Sequence, residues 1–264
     1  MNTEQHFDSI AKTTHIVMPE DHMEELYSSP NFLVRFVHTQ RLDAFVRLLP
    51  QGRKNVLDAG CGEGQLIERM KRASPDSRYV GVDVTEVALV KAHKRCPFAS
   101  FHKADITSLP FKDGTFDVIV CTEVIEHVPE YRDVLLELAR VLKPGGLLLI
   151  SFPNETLWTI ARLLLGRRPI KVPDHVNSFT PRRMRKVMPL SYSSRRNLPF
   201  GLPFCLSLNG LMVFRKKGRI VEVPITWYDS PGSKIRLFRT IWQMSISMIH
   251  LRLLHSPLRK LVGG

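Results

Sequence analysis

Apolar and polar positions fall into a clear rhythm only after residue 30. Residues 1–30 are polar and weakly patterned and close on Ser28-Ser29-Pro30. From Asn31 to Leu49 apolar residues recur every three or four positions, which predicts an amphipathic helix stopped by Pro50-Gln51-Gly52. Short apolar runs then alternate with helical patterns. Asn55–Ala59, Tyr79–Val82, Ala99–Ala104, Phe116–Cys121 and Leu147–Phe152 read as strands. Between them lie helices in QLIERMKRA, from Glu86 to about Arg95, and from Asp133 to Leu142, the last stopped at Lys143-Pro144-Gly145-Gly146. Beyond Phe152 the pattern predicts a helix in TLWTIARLLLG and a loop into a basic helix in PDHVNSFTPRRMRKVM. A closing antiparallel pair is expected between Ser191 and Phe214.

Strands alternating with helices imply a mostly parallel sheet covered on both faces and joined by right-handed crossovers. The expected fold is therefore α/β: a doubly wound, Rossmann-like sheet with a closing antiparallel strand, followed by a C-terminal helical appendage. The domain reading is an N-terminal extension (1–30), the α/β domain (31–214) and a basic amphipathic tail (215–264).

Charge divides the chain. Residues 1–150 carry 18 basic and 21 acidic side chains, whereas residues 151–264 carry 20 basic and only 4 acidic. An anionic partner therefore belongs to the second part. The four cysteines, Cys61, Cys96, Cys121 and Cys205, form no CxxC pair and have no histidine at zinc spacing. A reducing cytosol is the expected setting. The opening residues lack the basic and apolar regions of a signal peptide, so none is expected. No run approaches the roughly 18 apolar residues of a spanning helix, so the chain is expected to be soluble or attached to a membrane surface.

The strongest chemical signal is Asp58-Ala59-Gly60-Cys61-Gly62-Glu63-Gly64, directly after one strand and before a helix. Glycines let a ligand approach the backbone with no Cβ in the way. The spacing is G-x-G-x-G with a leading acid, not the dinucleotide G-x-G-x-x-G. An acid there suits a ligand carrying an ammonium group, with Asp58 facing it. Asp83 ends the next strand, where a carboxylate can accept two ribose hydroxyls. Asp105 ends the third and can take an exocyclic adenine amine, with Ile106 packing on the ring. Open acids at successive strand tips match the place where such sheets bind ligands.

These residues resemble the class I S-adenosylmethionine-dependent methyltransferases, in particular the small-molecule branch that includes the ubiquinone-type O-methyltransferases. The segments NVLDAGCGEGQL, YVGVDV, ADITSLPFKDGTFDVIV, CTEVIEHV and LKPGGLLLISFPN stand in that family's order. The resemblance implies S-adenosylmethionine as cofactor, contacted by Asp58, Gly60, Cys61, Gly62, Gly64, Asp83, Val84, Asp105 and Ile106, with Thr122 or Glu123 beneath the sulfonium. It also implies a methyl transferase acting on a small-molecule or lipid-linked acceptor, at oxygen. Acceptor chemistry at a hydroxyl needs a base; His127 and His175 are the candidates, each also readable as a loop histidine bonded to backbone. Glu123, Glu126 and His127 reproduce an E-x-x-E-H pattern that ligates a divalent metal in some ubiquinone-type members, and on a helix the three would share one face.

The tail differs in kind. Arg219–Trp227 and Pro231–Arg236 resemble the carboxyl-terminal end of polyprenyl-phosphate glycosyltransferases, although that family's aspartate-rich nucleotide-sugar loop has no counterpart. In Lys234–His255 the polar residues Arg236, Arg239, Thr240, Gln243, Ser247 and His250 fill one narrow stripe, leaving a wide apolar face. That face docks on the domain, on a partner, or on an anionic membrane surface. The net charge raises RNA methylation as an alternative, but the place of an N-P-P-[YF] tetrapeptide holds Cys121-Thr122-Glu123-Val124, and the basic runs lack interleaved aromatics. Nucleic acid is therefore not the expected partner. A non-catalytic scaffold for a membrane or glycosyltransferase partner is the remaining alternative class.

Overall fold

The structure, a computed structural model, describes residues 30–164 and 174–218. Residues 1–29 of the expected extension and residues 219–264 of the expected tail, with its amphipathic helix and its glycosyltransferase-like segment, lie outside the described residues.

The described residues open with helix α1 (Phe32–Val46). Strands and helices then alternate as β1 (Asn55–Ala59), α2 (Gln65–Ala73), β2 (Arg78–Asp83), α3 (Glu86–Arg95) and β3 (Ser100–Lys103). The second half runs β4 (Phe116–Thr122), α4 (Tyr131–Val141), β5 (Leu142–Pro153), α5 (Glu155–Leu164), α6 (Pro181–Val187), β6 (Ser191–Leu198) and β7 (Asn209–Arg215). One sheet of seven strands has the order β3-β2-β1-β4-β5-β7-β6. Pairs among the first five strands are parallel, and β7 is antiparallel to both neighbours. This is the doubly wound α/β sheet with an antiparallel closure that the pattern predicts.

Alternation along β4 shows why the sheet is buried on both faces. Val118 and Val120 belong to a core with Leu42 and Phe45 of α1, Ile67 and Met70 of α2, and Leu89 of α3. Ile119 and Cys121 point the other way, into a core with Leu135 and Leu138 of α4 and Met184 of α6. Side chains of period two thus serve opposite layers, as a run of continuous apolar residues requires. Strand order reverses between β1 and β4, which opens a crevice at their carboxyl ends.

The Lys143-Pro144-Gly145-Gly146 stretch is a correction. It is expected to lie between a helix and a strand that starts at Leu147, but β5 already begins at Leu142. Phe116 faces Leu142 and Val118 faces Leu147, so the extra residues form a bulge. The bulge keeps its hydrogen bonds because Gly145 donates to the Lys216 carbonyl at 2.8 Å and Lys216 donates to that of Gly146 at 3.1 Å. Pairing with a chain segment about 70 residues away compensates for the weak strand propensity of Pro and Gly.

Candidate functional site

The loop after β1 holds the first half of the site. Gly60 and Cys61 both donate to the Val82 carbonyl, at 2.8 and 2.9 Å, which folds the loop back over the tip of β2. Gly60, Gly62 and Gly64 all adopt positive φ, a region that side chains rarely tolerate. Their surroundings separate their roles. A methyl on Gly60 would overlap the Val124 side chain, with Cγ1 at 2.9 Å, so this glycine is bare to admit a neighbour. One on Gly64 would press on Ala92 and Cys96, so it serves the packing of α2 on α3. Around Gly62 nothing lies within 4 Å of such a methyl, so this glycine faces open space. Cys61 is buried; its Sγ would lie 2.8 Å from a methyl on Gly81, and burial pushes its thiol pKa upward, with Asp58 adding to the effect.

Asp58 ends this part of β1 with only 1% of its surface exposed, and among the described residues neither carboxylate oxygen has a hydrogen-bond partner. Burial raises its pKa well above the usual carboxylate range, and the nearby charge of Asp83 raises it further. An orphaned buried carboxylate of this kind is satisfied by a cationic or N–H donor group. Asp83, at the tip of β2, is held from both sides: Oδ2 accepts from the Gly62 N–H and Oδ1 from that of Thr85, each at 2.9 Å. Val84 follows it, half-buried. Asp105 stands just past β3, its Oδ1 accepting from Thr107 N–H at 2.8 Å, and Ile106 sits in the core between Ala104 and Leu109. The three strand-end acids thus sit at the ends of neighbouring strands, on one edge of the sheet.

At the tip of β4, Glu123 takes φ 53°, in the left-handed region. Such a conformation costs about 1–3 kcal/mol and persists only where neighbours fix it. Here they do. Ser151 of β5 donates to Oε1 at 2.7 Å, Asn209 of β7 donates to Oε2 at 2.6 Å, and the buried Arg41 of α1 lies 3.4 Å from Oε2. The Thr122 hydroxyl joins Ser151 at 3.0 Å. Arg41, Ser151 and Asn209 carry no local sequence signal, since four separate elements bring them together.

Past Glu123 the chain makes a 3₁₀ turn, Ile125–His127, rather than an α-helix. Glu123, Glu126 and His127 therefore do not share a helix face, a correction to the expected ligand trio. The group brought together is Glu126, His127 and His175, whose potential ligand atoms all lie within 4.8 Å of one another. Segment 174–177 is stitched to this turn: Asn177 donates from its N–H to the Glu126 carbonyl at 3.0 Å and from Nδ2 to the Val128 carbonyl at 2.8 Å. His127 donates its Nδ1–H to the Asp174 carbonyl at 3.1 Å and meets the His175 ring edge to face at 4.8 Å. Burial lowers the His127 pKa, and the His175 ring lowers it further, so the imidazole is neutral near pH 7. Glu126 is buried with both carboxylate oxygens unpartnered among the described residues, and burial first, then the charge of Glu123, raises its pKa well above the ordinary range. His175 donates Nδ1–H to the Glu155 carboxylate of α5 at 2.6 Å. Glu155 also escapes any sequence motif.

Part of the chain is similar to known methyltransferases. Residues 57–150 match a family model described as a methyltransferase domain. A probable S-adenosylmethionine-dependent methyltransferase of Mycolicibacterium smegmatis is 34% identical over 109 residues, 41% of this chain and 42% of that protein. The phthiotriol/phenolphthiotriol dimycocerosates methyltransferase of Mycobacterium tuberculosis is 36% identical over 97 residues, 36% of each chain. The chain thus spans about two fifths of the length of the curated relatives it matches. In fold, it superposes with a TM-score of 0.60 on a chain from the complex of a methyltransferase activator and a methyltransferase of Haloferax volcanii, at 17% identity, covering 82% of this chain and 98% of that one.

Proposed function

We propose that this chain is an S-adenosylmethionine-dependent methyltransferase of the class I fold, transferring a methyl group to an oxygen of a small-molecule or lipid-linked acceptor. The observation that carries the reading is the set of carboxylates at the tips of β1, β2 and β3 around a glycine that faces open space. The residues suit the cofactor. The orphaned Asp58 carboxylate is complementary to the methionine ammonium, and Gly62 leaves room for the ligand. Asp83, pinned by two amides, keeps lone pairs for ribose hydroxyls, while Asp105 and Ile106 stand where the adenine would lie. Thr122 and Glu123 close the sulfonium end. The cofactor supplies a methyl already activated on sulfur, so the protein's work is alignment and exclusion of water.

An oxygen acceptor must lose a proton. With Nδ1–H committed to Glu155, His175 keeps Nε2 as its acceptor, and the carboxylate stabilises the imidazolium that forms. His127, bonded through Nδ1 to a backbone carbonyl, likewise presents Nε2 and orients the His175 ring. A lipid acceptor finds support in the relative that is named for a lipid substrate.

A second reading rests on Glu126. A buried carboxylate without partners beside two imidazoles is a donor set for a divalent cation, and mixed nitrogen and oxygen ligands favour zinc or manganese over magnesium. Metal analysis of the purified chain, followed by titration of the wild type and Glu126→Gln, separates the two. Stoichiometric metal lost in Glu126→Gln supports the ion, and none supports the base alone.

The test of the activity is transfer of labelled methyl groups into fractionated lipid, small-molecule and RNA extracts. Label in a lipid or small-molecule fraction, lost in His175→Ala, supports the reading; label confined to RNA, or none with any extract, contradicts it.

A further inference from the structure

At the β6 end of the sheet, a cleft of about 370 Å³ lies between α1 and the edge strand β6. Gln40 of α1 and Arg47 just past its end line it on one side, and Arg195, Arg196 and Leu198 of β6 on the other, with Gly201 at its end. Among the described residues, no carboxylate lines it. All three arginines are exposed, and among the described residues none of them has an ion-pair partner. Arg196 shares the α1 face of β6 with Leu198, whereas Arg195 beside it pairs with Met212 on the opposite face. The guanidinium groups of Arg47 and Arg196 at this concavity attract an anion, and their planar forks match phosphate oxygens.

One lip of the same cleft is apolar. Phe200, between two lining residues, stacks on Phe36 with ring centroids 5.8 Å apart, and Phe36 stacks on Phe32 at 6.0 Å. Phe200 and Phe32 are each 69% exposed, and Leu202 and Leu206 are exposed in the same loop. Scattered apolar residues at a surface need no explanation, but a stacked aromatic row with two leucines beside a cationic cleft does. The lip also lies at the functional edge of the sheet. Leu198 pairs with Asn209, the residue whose amide reaches Glu123.

We propose that this cleft seats the phosphate headgroup of an anionic membrane lipid while Phe32, Phe200, Leu202 and Leu206 enter the interfacial layer, docking the chain with its strand-tip edge toward the lipid. The ligand class is an amphiphile carrying a phosphate, which a cationic cleft with an apolar lip complements at both ends. Single-stranded RNA would also meet arginines and aromatics here, but Leu202 and Leu206 offer a base nothing to stack on, so the lipid is favoured. The inference does not depend on the identity of the methyl acceptor.

Co-sedimentation of the full chain with vesicles tests it, using phosphatidylcholine alone and phosphatidylcholine with 30% phosphatidylglycerol (about 0.1 M salt). Binding to the anionic vesicles only is expected. Arg47→Ser with Arg196→Ser weakens it by about 30-fold, at about fivefold per cation, and Phe200→Ser weakens it as well. These exposed positions leave the melting temperature unchanged, which a thermal scan checks. The proposal is overturned by undiminished binding in the variants, by equal binding to neutral vesicles, by glycerol phosphate binding where vesicles do not, or by preferential retention of an RNA oligonucleotide that the same variants lose.

Discussion

His175 donates its Nδ1–H to the Glu155 carboxylate at 2.6 Å, and both side chains are largely shielded from water. That bond fixes the tautomer and leaves Nε2 as the proton acceptor on the ring. His175→Ala is expected to lower the rate of methyl transfer by about 10²–10⁴-fold, the range of general-base contributions. Glu155→Gln keeps the ring in place and lowers it by a smaller factor, about tenfold. Single-turnover rates for both variants, with cofactor affinity measured in parallel, check this: affinity stays at the wild-type value.

The glycines after β1 separate by what surrounds them. Gly60→Ala drives a methyl into Val124 at φ +79°, so it destabilises the chain by about 2–4 kcal/mol, overpacking and backbone strain together. Val124→Ala in the same chain recovers the steric part. Gly62→Ala meets no neighbour, costs about 1 kcal/mol through its backbone alone, and weakens cofactor binding because the methyl occupies the open space. Melting curves and calorimetric titrations of the three variants give the comparison.

Asp58 makes stability depend on pH. Its pKa in the folded chain lies above the unfolded value, so between the two the folded state holds a proton that the unfolded state has released. Its contribution is intact below about pH 4, the ordinary carboxylate value, and is lost as pH rises from there toward the folded pKa. Asp58→Asn removes this dependence. The variant's stability relative to wild type is expected to rise by up to about 1.4 kcal/mol per pH unit within that window, or about 3–6 °C in melting temperature. Thermal scans of cofactor-free protein from pH 4 to pH 8 measure it, and a constant difference would show that Asp58 is ionised throughout.

Much of this was legible in the chain. Asp58, Asp83 and Asp105 each close an apolar run, and a strand end is a local property that period and burial reveal. The glycine loop was legible too, although Gly60 admits Val124, Gly64 sits beside Ala92 and Cys96, and Gly62 faces open space. What local pattern does not carry is the meeting of distant segments. Glu123 gains its left-handed backbone from Arg41, Ser151 and Asn209, and no window around EVIEHV contains them. The same holds for His127 and His175, joined through a segment 47 residues further on. The Lys143–Gly146 bulge lies within a strand because of its pairing with Lys216, which its own composition argues against.

The most direct measurement is calorimetric titration of S-adenosylmethionine into the wild-type chain and Asp83→Ala. Asp83 offers a charged acceptor to two ribose hydroxyls, each hydrogen bond being worth about 1.5–3 kcal/mol, so one-to-one binding weakened by at least about 100-fold in the variant is expected. No binding heat in the folded wild type, or equal affinity in Asp83→Ala, would contradict the placing of the cofactor at these strand tips.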